Sequence, residues 1–101
     1  MTIIRKYKNV KVSIDGYRFD SKKEAQRYGI LKIDPEVTEL KLQVKFPIHV
    51  NSKLICNYVS DFTYLRNGEY IVEDVKGMKT SMYRLKKKLM KAVHNIEIFE
   101  T

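Results

Sequence analysis

Ile71-Val72-Glu73-Asp74-Val75-Lys76-Gly77 is an apolar run that breaks into two carboxylates, a lysine and a glycine. The apolar part reads as a strand and Gly77 as its stop. Just upstream, Asn67-Gly68 is the strongest hairpin signal in the chain, because a two-residue turn matching strand twist needs positive φ at both positions. The arm before that turn, from about Leu54 to Leu65, is a long strand, bent midway, that carries Asp61. Before Asn51-Ser52 comes strict alternation, with Leu40, Leu42, Val44, Phe46, Ile48 and Val50 set against Lys41, Gln43, Lys45 and His49. That is a strand with one apolar face. Pro47 marks a bulge or an edge position in it, since proline cannot donate to a ladder.

Further outward, Val10 to Ile14 alternates, Asp15-Gly16 is a turn, and Tyr17-Arg18-Phe19 is the return arm of a hairpin. Ser21-Lys22-Lys23-Glu24 fits a capping box with Ser21 as N-cap, opening a helix that runs to about Lys32, because Pro35 forbids much more. Thr80 or Ser81 caps a second helix whose apolar stripe is Met82, Leu85, Leu89 and Val93, with Asn95 as its end. Ile96 to Phe99 is a last short strand. Hairpin, helix, three strands, helix and strand predict an α/β chain of the α+β kind, a mixed sheet flanked by helices. At 101 residues one domain spanning 1–101 is expected.

The formal net charge is +8, which favours a polyanionic partner through counterion release, although solubility alone is the bland explanation. The distribution decides for the partner. Between Asp74 and Glu97 there is no acid, while Lys76, Lys79, Arg84, Lys86, Lys87, Lys88 and Lys91 fall in that window. No apolar run approaches the ~18 residues of a membrane span, and Met1 to Lys6 has no signal-peptide core. The single cysteine, Cys56, excludes an internal disulfide and a cysteine zinc site and fits a small core residue in a reducing, cytoplasmic compartment.

Acid-x-Lys occurs three times, at Asp20-Ser21-Lys22, Glu39-Leu40-Lys41 and Asp74-Val75-Lys76, so the tripeptide alone means little. Only the third ends a strand whose hairpin partner bears another acid and precedes a basic helix. Residues two apart on a strand share a face, so Asp74 and Lys76 point together and Glu73 points away. Asp61, across the hairpin, is close enough to share one cation with Asp74, because cross-strand neighbours lie roughly 5 Å apart. Two adjacent carboxylates would otherwise repel; Mg²⁺, or Mn²⁺ in its place, removes the conflict. Lys76 then orients and acidifies an attacking water or neutralises the phosphorane. The plainer reading pairs Asp61 and Asp74 with nearby lysines, and the cost of burying unpaired charge on apolar strands weighs against it.

Glu24 has two readings, a capping acid and an acid at the metal site, since it shares a helical face with Tyr28 and Leu31. Lys79, Tyr83 and Lys87 follow one another at single-turn spacing and can reach a phosphate from the second helix. Gln43 is assigned to solvent, and His49 and His94, without ligand partners at metal spacing, to structure.

Phe19-Asp20-Ser21-Lys22-Lys23-Glu24-Ala25, Tyr58 with Asp61-Phe62-Thr63-Tyr64, Val72 to Gly77, and Tyr83 with Lys86-Lys87-Lys88 together resemble the PD-(D/E)xK nuclease superfamily, and within it a small phage-borne family of unassigned function. The resemblance covers about Asp20 to Glu100. It implies a restriction-endonuclease-like αβββαβ core, magnesium held by Asp61, Asp74 and the Val75 carbonyl, Glu24 as the helix acid bound through water, and Lys76 as the catalytic lysine. Products would carry 5′-phosphate and 3′-hydroxyl ends. Lys22, Lys23, Lys79, Tyr83, Arg84, Lys86, Lys87, Lys88 and Lys91 are the expected DNA contacts. Ser60 stands where proline is usual, and Tyr83-xxx-Lys87 where exonuclease-type members have Gln-xxx-Tyr, which argues against a processive exonuclease.

The expected function is therefore a Mg²⁺-dependent endonuclease selective for branched DNA, such as a Holliday junction or flap, in phage replication or recombination, in the host cytoplasm if phage-encoded. A two-fold homodimer suits paired incisions. The alternatives are a nucleic-acid-binding module that keeps the fold without cutting, and a protein that docks on an acidic partner through charge alone.

Overall fold

The computed structural model describes residues 11–101, so Val10 and the chain before it lie outside the described residues. The chain divides into two compact units, Met1–Asp34 and Pro35–Thr101. Among the described residues the first holds strands β1 (Val12–Ile14) and β2 (Tyr17–Phe19) and helix α1 (Lys22–Ile33). The second holds β3 (Val37–Val50), β4 (Lys53–Arg66), β5 (Glu69–Asp74), helix α2 (Ser81–His94) and β6 (Phe99–Glu100).

In the first unit β1 and β2 pair antiparallel, Val12 with Phe19 and Ile14 with Tyr17. Asp15 and Gly16 turn between them at φ of 54° and 82°, the positive pair such a turn demands. Ser21 Oγ accepts the Glu24 amide at 3.1 Å, and α1 ends at Asp34, before Pro35. Phe19, Ala25, Tyr28 and Leu31 are buried, with the Phe19 and Tyr28 rings 5.1 Å apart. Asp15 takes hydrogen bonds from the Lys32 ammonium and, at 2.8 Å, from the Tyr28 hydroxyl. These partners, Lys32 first, hold its carboxyl below the usual range.

In the second unit the sheet order is β3-β4-β5-β6. The first three strands form an antiparallel meander and β6 joins β5 parallel, so the sheet is mixed, as expected. β3 is an edge strand, and its ladder slips between Ile48 and His49, next to Pro47. Both reasons proposed for a proline there therefore apply. Asn67 and Gly68 turn at φ of 51° and 86°, setting Arg66 opposite Glu69 and Phe62 opposite Glu73. Opposite the middle of β4, Gln43 of β3 takes a φ of 53° between the pairs Leu42–Phe62 and Val44–Ser60.

Helix α2 starts as predicted, with Thr80 Oγ1 accepting the Tyr83 amide at 3.1 Å. It ends at Asn95, in the left-handed conformation, whose amide reaches Lys91 O at 3.1 Å while the Ile96 amide reaches Met90 O; the bond from Asn95 is that of an αL helix end. The side it seats is not the predicted one. Met82 is 56%, Leu85 51% and Val93 39% exposed, whereas Tyr83 and Met90 are buried with Ile48, Tyr58, Val72 and Ile98; Leu89 packs partly on that cluster. Two polar ties explain the rotation. The Tyr83 hydroxyl bonds Glu100 and the His94 ring nitrogen Nε2 bonds Pro47 O, so residues 83, 87, 90 and 94, one stripe of the helix, face the sheet. His94 is thus structural, as expected. Met90→Ala is expected to cost about 2–5 kcal/mol in urea unfolding, while Met82→Ala, in the predicted stripe, stays within ~0.5 kcal/mol.

Candidate active site

β5 delivers two successive carboxylates to opposite faces, and both are buried. Such burial is tolerated only with hydrogen-bonding partners, and β4 supplies a tyrosine to each. Tyr64 hydroxyl donates to Glu73 Oε1 at 2.6 Å, and Thr101 Oγ1 to Glu73 Oε2 at 2.8 Å. Tyr58 hydroxyl donates to Asp74 Oδ2 at 2.5 Å. Tyr58 and Tyr64 would share a face on a regular strand; serving opposite faces of β5, they mark the bend of β4 between them. Burial, then the bond to Asp74, pushes the Tyr58 phenol well above its ordinary pKa, so it stays a donor.

Lys76 sits two residues on, as the strand spacing predicted, with Nζ 3.2 Å from Asp74 Oδ1. Its amide donates to Thr101 O at 3.2 Å, and the Thr101 amide to Asp74 O at 3.1 Å. The β5–β6 ladder therefore continues past the strand and fixes the backbone under the lysine. The β4–β5 ladder ends at the Phe62–Glu73 pair, and Asp61 is the next residue of β4 beyond it. Asp61 Oδ2 accepts the Val75 amide at 2.8 Å, and both carboxylates act electrostatically on the Tyr58 and Tyr83 hydroxyls. So Asp61, Asp74, Val75 and Lys76 are brought together, with the Val75 amide engaged in the contact.

A cleft of about 280 Å³ opens beside Asp74 and Lys76, walled by Tyr58, Thr80, Tyr83 and Lys86 among others. Asp61 is not among its lining residues. Across Tyr83 a second groove of about 540 Å³ is lined by Lys79, Arg84, Lys87, Lys88 and Lys91 over Ile96 and Ile98. The basic helix thus serves two concavities, and of its predicted DNA contacts Lys86 is the lysine on the acidic one. Lys22 and Lys23 are exposed on the first turn of α1 and Glu24 is buried there; these three belong to the first unit. Gln43 is exposed, as assigned.

Glu100, to which the sequence reading gave no role, organises the groove. Its carboxylate accepts from Tyr83 Oη at 2.6 Å, Lys79 Nζ at 3.0 Å and Lys87 Nζ at 3.1 Å. These donors, Tyr83 foremost, hold its carboxyl down at about 2. The Tyr83 hydroxyl is raised in turn, by burial first and then by Glu100. Lys91 pairs loosely with Glu97 at 3.6 Å. Among the described residues Arg84 and Lys88 have no carboxylate partner. Tyr58 entered the sequence reading only as part of the resemblance and Glu100 not at all, because their roles depend on strand pairing; the one available signal was that each stands near an acid in the sequence.

The oxygen donor set of Asp61 and Asp74 suits magnesium, which keeps most of its waters and takes one or two carboxylates. Among the described residues no three His, Cys, Asp or Glu side chains gather to hold a metal, so a cation here rests on that pair. No helix among the described residues is long and apolar enough to cross a membrane.

Residues 4–98 match the family described as Protein of unknown function (DUF1064). Nothing among curated proteins or solved structures matches the chain.

Because the Glu100 carboxyl lies below its ordinary 4.5 when folded, its ties stabilise the fold above about pH 4.5 and that contribution fades as pH falls toward 2. Urea unfolding of wild type and Glu100→Gln should therefore differ most at pH 6 and converge near pH 2–3.

Proposed function

We propose that this chain, which belongs to the DUF1064 family, is a magnesium-dependent endonuclease that hydrolyses DNA phosphodiester bonds, selectively in branched DNA. One observation carries the reading: a buried carboxylate paired at 3.2 Å with a lysine two residues on, with a second carboxylate, Asp61, accepting the amide of the residue between them, beside a cationic helix. The order α1, β3, β4, β5, α2, β6 supports a restriction-endonuclease-like αβββαβ core.

In this reading Asp74 and Asp61 would hold the cation, with the Val75 carbonyl as a further ligand. Magnesium would polarise the phosphoryl oxygen and acidify the attacking water. Lys76, kept beside Asp74, neutralises charge developing on the phosphoryl oxygens. Water oxygen bonds to phosphorus, the P–O3′ bond breaks, one water proton ends on O3′ and the other is released to solvent, giving 5′-phosphate and 3′-hydroxyl ends. Lys86 and the groove cations Arg84, Lys88 and Lys91 bind backbone phosphates, together with Lys79 and Lys87. Two incisions per junction call for a two-fold dimer on DNA.

The second reading, a nucleic-acid-binding module that does not cut, has its own observation: both Asp74 oxygens are already engaged, by Tyr58 and Lys76. Incubation with a four-way junction, a flap and linear duplex separates the two. Cleavage with Mg²⁺ or Mn²⁺, lost with chelator and reduced about 100-fold or more by Asp74→Ala and by Lys76→Ala, is expected. Salt-sensitive binding without cleavage would leave the module; no binding at low salt would remove both.

A further inference from the structure

We infer that Tyr83 is the positioning residue for the Lys76 ammonium, and that Glu100 sets Tyr83. A lysine just beyond a strand end, followed by Gly77, has a long flexible stem and many rotamers to lose. Something must define its ammonium if it is to act at one atom. Asp74 does so from one side. From another, Lys76 Nζ stands 4.4 Å from the centroid of the Tyr83 ring, well inside the range at which a π face attracts a cation. The ammonium is thus held between a carboxylate and an aromatic face.

The ring cannot drift. Tyr83 is buried in the α2–sheet cluster, its amide closes on the Thr80 cap, and its hydroxyl is fixed at 2.6 Å on Glu100. Glu100 in turn is tied to the lysine's own backbone, since β6 pairs Glu100 with Asp74, and Thr101 bonds both Asp74 O and the Lys76 amide. The path from Lys76 backbone through β6, Glu100 and Tyr83 returns to the Lys76 ammonium. This closed circuit makes Tyr83 more than filler: a leucine would occupy much of the volume but offer no π face. The phenol also serves the lysine from within, because its oxygen is committed to Glu100 instead of facing the cleft.

The geometry stands apart from the nuclease reading; only its consequence for turnover rests on that reading. Two measurements therefore run in parallel. In wild type, NMR of the Lys76 ε-methylene protons should show the upfield displacement of nuclei lying over a ring. Tyr83→Phe, which keeps the ring, should retain the sign of that displacement, and Tyr83→Leu should abolish it. Unshifted ε-protons in wild type overturn the proposal without any variant. In junction cleavage, Tyr83→Leu should lower kcat about ten-fold with KM changed less than about two-fold, and Tyr83→Phe should recover most of the loss. Equal kcat in the Leu and Phe proteins, both shown folded by circular dichroism, would assign Tyr83 to packing alone and overturn the proposal. If wild type cleaves nothing, the nuclease reading falls and the NMR arm still decides the position of Lys76.

Discussion

Two carboxylates buried in succession on one short strand are the constraint around which the second unit is arranged. An ionised carboxylate removed from water without compensation costs several kcal/mol, more than a marginally stable domain can spare. Glu73 and Asp74 are each answered by a tyrosine hydroxyl from β4, and Asp74 by the Lys76 ammonium as well. Because the two acids leave opposite faces of β5, β4 must change the face it presents between Tyr58 and Tyr64. The irregular backbone at Gln43 in β3 lies at that place. Sheet curvature and acid chemistry are in this sense one problem with one solution.

A third carboxylate, Glu100, extends the same logic to α2. It gathers Tyr83, Lys79 and Lys87, and so turns the helix to seat residues 83, 87, 90 and 94. The cost is an apolar stripe, Met82, Leu85 and Val93, left substantially in water. Hydrogen bonds to a charged group, worth about 1.5–3 kcal/mol, rival the burial of a single aliphatic side chain, so a polar anchor can outvote the hydrophobic pattern. One result is two concavities on either side of Tyr83, one acidic at its wall and one cationic. The charge excess counted along the chain is therefore not a uniform field around the acids: Lys79 and Lys87 share the Glu100 carboxylate.

Much of this was legible in the residues. The turns at Asp15-Gly16 and Asn67-Gly68, the caps at Ser21 and Thr80, the stop at Asn95 and the edge proline at Pro47 all act through local backbone chemistry, and each appears where the residues placed it. The pairing of Asp74 with Lys76 followed from the two-residue period of a strand. The seating of α2 did not follow, because amphipathic periodicity weighs apolar residues and ignores a tyrosine whose hydroxyl finds an acid seventeen residues away. The partners of Tyr58 and Glu100 stayed invisible for the same reason: nothing adjacent in sequence tells which strand will bring them together.

What the amino acids determined unaided was every feature decided within a few residues: turns, caps, strand alternation, and the two-residue spacing that sets Lys76 beside Asp74. What the folded chain alone decided was which partner meets each charge. That choice depends on cross-strand register, on the parallel addition of β6 and on the rotation of a helix, and these are settled by buried electrostatics acting over distances that no local pattern encodes.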